Sequence, residues 1–211
     1  MARNKYPEKT TELILNEALK LFIEKGYENT SIQDIINNLG GLSKGAIYYH
    51  FKSKEDIFSG VIQKISDENA VFFDKIRDDN KLTGYEKLKF MIDSASTNPN
   101  NQAILAMKKR IISDPKFLMN QISEIYEVVV PKYIQPIIEQ GIKDGSLKTA
   151  YPKELAEVII ILLNLWINPI ITQGTPLEKK RQLDFFDLLL KGIGIDILDE
   201  KIISQYVNYW Q

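Results

Sequence analysis

An all-α fold is what this 211-residue sequence predicts, on three observations. Apolar residues recur every three or four positions through most of the chain, the period of an amphipathic helix. Several segments open on Ser or Thr with an acid or amide three residues on, and close on glycine or proline. No stretch alternates apolar and polar residues as a half-buried strand does.

Leu13, Ile14, Ala18, Leu21 and Phe22 recur at helical spacing, which predicts a first helix over about residues 8–25, stopped by Gly26. Thr30 with Gln33 reads as a capping box opening a short second helix that ends before Gly40. Ser43 can cap a third helix through about Phe51, and Ser53 with Asp56 a fourth. The fourth carries Ile57, Phe58, Val61, Ile62, Ile65 and Phe72 on one side and is expected to run to about Asn80. Thr83 with Glu86 opens a fifth, Asn98-Pro99 a sixth, and Asp114-Pro115 a long seventh that ends at Lys143-Asp144-Gly145. An eighth covers about residues 152–173. Thr175-Pro176-Leu177-Glu178 combines a cap, a proline at the first helical position and an acid at the third, the start of a ninth. A tail helix near residues 199–209 completes the series. Pro131, Pro136 and Pro169 fall inside these stretches, and each is expected to kink or break its helix, having no N–H to donate.

Composition removes several chemistries. The chain has no cysteine, which excludes disulfides and thiolates, and its single histidine argues against a His-based metal site. No phosphate loop and no carboxylate pair in a recognisable context is present, so neither an enzyme nor a cofactor is expected. MARNKYPEKT lacks the apolar run of a signal peptide. The longest apolar stretch, residues 158–171, is interrupted by Asn164, Asn168 and Pro169 and falls short of the roughly 20 residues a membrane span needs. A cytoplasmic protein is the expectation.

Net charge is −1, but its distribution is uneven. After Asp34 the chain meets Lys44, Lys52 and Lys54 before its next acid, Glu55. Within that gap lies GGLSKGAIYYHFKSKEDIF, residues 40–58, which crowds two tyrosines and the only histidine among lysines. Three short helices with a glycine-bearing turn between the second and third have the layout of a helix-turn-helix, whose last helix enters the DNA major groove. The residues suit that task. Ser43 and the free N–H groups of the first turn can bind phosphate, and Gly45 lets the backbone come close to a duplex. Ile47 and Phe51, four apart, can face the small core and turn Tyr48, Tyr49 and His50 outward or to the rim. Tyrosine hydroxyls and His50 can bond phosphate oxygens, with Lys52 and Lys54 adding charge contacts. Taken alone, Tyr48 and Tyr49 also fit as half-buried core aromatics.

The run Thr30-Ser-Ile-Gln-Asp-Ile35, followed by Ser43-Lys-Gly-Ala-Ile-Tyr-Tyr-His-Phe-Lys-Ser-Lys-Glu-Asp-Ile57, resembles the N-terminal region of the TetR family of bacterial transcriptional regulators over about residues 10–57. The resemblance implies a helix-turn-helix DNA-binding head at residues 1–54 and a larger helical-bundle body at 55–211, about nine or ten helices in all. It implies that the body binds a small-molecule effector and pairs two copies through its last two long helices, so that a homodimer reads a roughly palindromic double-stranded operator. Carried over by position, it implies that Ser43, Lys44, Gly45 and Ala46 line the groove-facing turn and that Tyr48, Tyr49 and His50 touch DNA. Thr30 and Gln33 would meet the backbone or groove edge, and Lys54 would clamp a phosphate. The family pattern has a single glycine between the second and third helices, whereas Gly40-Gly41 adds one residue here, which could lengthen the turn and re-aim the third helix.

Beyond Ile57 the chain is read physically. The helix expected over residues 152–173 is apolar nearly all round, and the next, over residues 177–198, carries Leu183, Phe185, Phe186, Leu188, Leu189 and Leu190. Two such helices must be covered on more than one side, either by a second copy or in the centre of a monomer. Flexible apolar, aromatic and isolated polar residues that could line an effector cavity are Phe90, Met91, Met107, Arg110, Met119, Tyr126, Tyr133, Asn164, Trp166 and Asn168. Each also fits as ordinary core, and Asn164 and Asn168 could equally set register across a dimer seam. The fourth helix would act as a lever between body and head. The function expected is a repressor released by its effector; an activator, or a regulator controlled by a protein partner, is the alternative.

Overall fold

The structure, a computed structural model, describes residues 7–98, 100, 104–105, 107, 110–111, 115–168, 171–172 and 174–209. Every regular element among the described residues is helical. The order is α1 (Pro7–Lys25), α2 (Ile32–Asn38), α3 (Lys44–His50), α4 (Lys54–Arg77), α5 (Gly84–Thr97) and α6 (Pro115–Glu124). A wider π-helical stretch (Ile125–Ile134) leads into α7 (Gln135–Asp144), and α8 (Pro152–Ile161) leads into a second one (Leu162–Trp166). Last come α9 (Pro176–Gly192) and α10 (Glu200–Tyr209). No described helix is long and apolar enough to cross a membrane.

The helix starts follow local side-chain chemistry. Thr83 and Glu86 close a capping box on α5, and Thr175 and Glu178 one on α9, in both cases through the acid reaching back to the cap's own N–H. On α2 the box is formed one residue later than the sequence predicts, by Ser31 and Asp34, because Thr30 is buried and turned away. The Ser31 hydroxyl, then its backbone N–H, hold the Asp34 carboxyl below the usual carboxylate range.

Two of the prolines change the type of helix without interrupting it. Pro131 lies within the first π-helical stretch, and Pro136 opens α7, where a missing N–H costs nothing. The wider register, seen in the Gln135 N–H donating to the Val130 carbonyl, accommodates a residue that cannot continue the regular ladder. The helix expected to reach residue 173 ends at Trp166, through an N–H of Ile167 on the Leu162 carbonyl. Asn168 then sits in a turn, its carbonyl accepting from Thr172, and Pro169 lies outside the described residues, as does the Pro99 expected to open a sixth helix.

Two compact units result, Met1–Ala70 with Pro99–Arg110, and Val71–Asn98 with Ile111–Gln211. In the first, Ile14, Ala18, Leu21, Phe22, Ile35, Ile47, Phe51, Ile57, Phe58 and Val61 are buried, and each of these except Ala18 contributes roughly 1.5–3 kcal/mol for a large side chain withdrawn from water. This is the helix-turn-helix head. In the second, one continuous core joins Leu88, Met91, Tyr133, Ile137, Ile159, Leu183, Phe186, Ile197 and Ile202. At its tightest crossing α5 meets α7 through Gly84 and Gly141. Lys87 is buried beside it, its ammonium donating to the Arg77 carbonyl and the Gln140 side-chain oxygen at 2.6 Å each.

Candidate nucleic-acid interface

The turn that aims α3 depends on its two glycines. Gly40 has φ +47° and Gly41 +122°, backbone states that side-chain-bearing residues rarely adopt, so the doubled glycine is a conformational requirement of this turn. Ser43 then caps α3, its hydroxyl accepting from the Ala46 N–H at 3.2 Å. Ile47 is fully buried and Phe51, at the C-cap, is 7% exposed; together they bolt the helix to the head's core.

That anchoring decides what faces outward. Tyr49 is 79% and Tyr48 44% exposed, with Ser43, Lys44, Gly45 and Lys52 exposed and Ala46 half-buried. At these exposures neither tyrosine belongs to the buried core of the head. The Lys44 ammonium lies 5.8 Å from the centre of the Tyr48 ring, so one basic and one aromatic side chain form a joint outward edge. Gln33 is exposed on α2, with its amide donating to Asn37. His50 is half-buried against α1, its Nδ1 3.1 Å from the Thr11 hydroxyl.

Two expected DNA contacts are corrected. Thr30 is 1% exposed, and its hydroxyl donates to the carbonyls of Leu21 and Gly26, closing the connection between α1 and α2. The Lys54 ammonium donates to the carbonyls of Tyr27 and Thr30 at 2.9 Å each and lies 4.2 Å from the Tyr27 ring centre. From a half-buried position it satisfies the open end of the loop after α1, so it is a staple of the fold. Lys54→Met is therefore expected to lower head stability by about 1–3 kcal/mol, the cost of orphaned carbonyls. A melting curve checks this, and the salt dependence of DNA binding by the folded variant should match that of the unaltered protein.

Around Tyr27 a polar cluster completes the staple. Its hydroxyl donates to Glu55 at 3.1 Å, and Arg110 lies 5.9 Å from its ring and 5.7 Å from that of Phe58. Burial, then the bond to Glu55, pushes the Tyr27 phenol up; the Glu55 carboxyl is held low by its own backbone N–H and by Tyr27. Sequence reading missed this cluster because its members lie far apart along the chain.

The ten cavity candidates differ in unit and in burial. Met107 and Arg110 belong to the head's unit, the first fully buried. Met91 and Tyr133 are core of the body, while Phe90, Met119 and Tyr126 are exposed. Trp166 packs edge-to-face on Phe185, and the Asn164 amide donates to the Ile160 carbonyl one turn back. A surface cleft of about 420 Å³ between α9 and α10, lined by Lys180, Asp184, Glu200, Ile203, Ser204 and Val207, contains none of the ten.

Comparison with known proteins finds the same fold and the same head motif elsewhere. Residues 14–61 match the family model of bacterial regulatory proteins, tetR family. The chain is 26% identical over 185 residues to the HTH-type transcriptional regulator YhgD of Bacillus subtilis, covering 87% of this chain and 96% of that one. It is 23% identical over 154 residues to the HTH-type transcriptional repressor AcnR of Corynebacterium glutamicum, covering 73% and 77%. Its fold is similar to that of a transcriptional regulator from Cytophaga hutchinsonii, with a TM-score of 0.67, 24% identity, and coverage of 96% and 93%. The matched segment contains α2, α3 and the turn between them, so the part of this chain that is similar to the tetR family of bacterial regulatory proteins is its helix-turn-helix.

Proposed function

We propose that the protein is a DNA-binding transcriptional regulator of the cytoplasm, acting as a homodimer that represses and is released from a roughly palindromic operator by a small-molecule effector. The observation that carries the reading is the outward face of α3, where Lys44, Tyr48 and Tyr49 stand exposed on a helix whose other side is locked by Ile47. Phosphate attracts the lysine, and the aromatic edges suit sugars and thymine methyls. In this reading residues 1–54 bind DNA, while residues 55–211 pair two copies and take the effector.

Support for pairing comes from α9. Leu177, Phe185, Leu188 and Leu189 are 69%, 51%, 65% and 45% exposed, and Val158 on α8 is 48% exposed. Within α9, spacing puts Leu177, Phe185, Leu188 and Leu189 on the side opposite buried Leu183, Phe186 and Leu190. A second copy related by a twofold axis would cover such a face with itself. Two recognition helices then read half-sites about 34–36 Å apart, one turn of duplex, or a multiple of it.

Selection of bound duplexes from a random pool tests the DNA reading, and an enriched inverted repeat is expected. Enrichment of nothing, or only of asymmetric sequences, defeats it. The effector half is tested by mass spectrometry of molecules that copurify, each then added to the protein–DNA complex. An effector must lower operator affinity, because it shifts the population only by its differential affinity for the two states. A tightly bound ligand that leaves operator affinity unchanged refutes release, and one that raises affinity points to the activator.

A further inference from the structure

We infer that Thr11, on α1, is a positioning residue for the DNA-facing helix and acts through His50; the inference rests on the DNA-binding reading above. With seven residues, α3 holds its last turn by few bonds of its own, so the aim of a side chain at its end must be set by a neighbour. For His50 that neighbour is 39 residues away in sequence, the Thr11 hydroxyl at 3.1 Å from Nδ1. The ring of Tyr49 stands perpendicular to the imidazole, with centres 5.1 Å apart. One nitrogen of His50 is thus held by α1 and its ring supports the most exposed aromatic of α3, at 79%. No other hydrogen bond to the ring is present among the described residues, which leaves Nε2 to meet a phosphate oxygen.

Threonine suits the role because a hydroxyl both donates and accepts. In the neutral tautomer protonated on Nε2, Thr11 donates to Nδ1 and Nε2–H donates outward; in imidazolium, Nδ1–H donates to the Thr11 oxygen and Nε2–H still donates outward. Removing the hydroxyl releases the ring from α1, and Nε2 loses its aim at the phosphate. Charged groups on the surrounding elements are Glu8, Lys9 and Glu12 of α1, Lys44 of α3, and Lys52, Lys54, Glu55 and Asp56 after it; none forms an ion pair with the ring.

The test measures binding of a selected duplex by full-length protein, with the imidazole proton resonances of the chain's one histidine followed by NMR. Thr11→Val is expected to weaken binding about fivefold per recognition helix, one hydrogen bond's worth, and to move the His50 imidazole resonances. Thr11→Ser should restore both, and in a His50→Gln background Thr11→Val should add nothing. Thr11→Ala, which adds no bulk, serves if the valine variant melts early. Equal weakening in both backgrounds, unmoved His50 resonances, or failure of Thr11→Ser to restore binding overturns the inference. If unaltered protein enriches no duplex, the DNA reading fails and takes this inference with it; if it binds and Thr11→Val matches it, only the inference falls.

Discussion

Gly84→Ala is expected to destabilise the body by about 3 kcal/mol, the upper part of the range for forced overpacking. A Cβ at Gly84 would lie 2.1 Å from the Gly141 nitrogen, 2.4 Å from its Cα and 2.5 Å from the Ile137 carbonyl oxygen. All three are backbone atoms, so no side chain can swing aside, and α5 and α7 must separate. Separation also breaks the bonds by which the loop after α7 caps α5, from the Gly84 N–H to Asp144 at 2.9 Å and from the Tyr85 N–H to Ser146 at 3.1 Å. The Asp144 carboxyl, held low by the Ser146 hydroxyl and then by the Gly84 N–H, should return toward its ordinary value. In a melting experiment the transition should fall by about 10 °C, at roughly 2–4 °C per kcal/mol for a chain of this size. The comparison is Gly145→Ala: that residue has φ +78° with nothing near its Cβ, so it carries backbone strain only and costs about 1 kcal/mol. Equal shifts for the two would show that the crossing is looser than described.

Lys44→Ala is expected to weaken operator binding by roughly tenfold or more per half-site and to relax sequence preference, as loss of a groove contact does. Lys44 opens α3, the end of a recognition helix that meets base edges, and its neighbour there is Tyr48. Lys52, exposed just beyond the helix, supplies the contrast. Lys52→Ala should weaken all duplexes alike and reduce the salt slope by about one, the signature of a lost phosphate contact. Both positions are exposed, so melting temperatures should hardly move. Binding isotherms at several salt concentrations, on the selected operator and on a scrambled duplex, separate the two roles. A Lys44→Ala variant that loses affinity equally on both duplexes would make Lys44 a second phosphate contact.

Lys54 shows where reading a lysine from its neighbours in sequence goes wrong. Beside Lys52, in a run free of acids, it reads as a phosphate contact. Its acceptors, the Tyr27 and Thr30 carbonyls, lie 27 and 24 residues earlier, brought together only when α4 packs on the loop after α1. Thr30 repeats the lesson. Both Thr30-Gln33 and Ser31-Asp34 have capping-box spacing, and the choice is made by burial of the Thr30 side chain.

Caps, turn glycines and the outward set on α3 are legible in the sequence because each depends on groups three or four residues apart, a distance the backbone geometry sets by itself. Thr83 with Glu86, Thr175 with Glu178, and Ile47 with Phe51 belong to that class. The cavity residues were not legible, since a flexible apolar side chain has the same sequence signature in a core, on a surface or beside a ligand; Tyr133 and Met119 ended 2% and 63% exposed. The sequence by itself thus determined an all-helical chain with a helix-turn-helix head and the outward placement of Lys44, Tyr48 and Tyr49 on α3. Tertiary structure alone decided which polar groups are consumed inside: Thr30, Lys54, Lys87 and the inner nitrogen of His50. The physical reason is that a hydrogen bond between distant segments is chosen by packing of the apolar faces that carry them, and packing is a property of the whole fold.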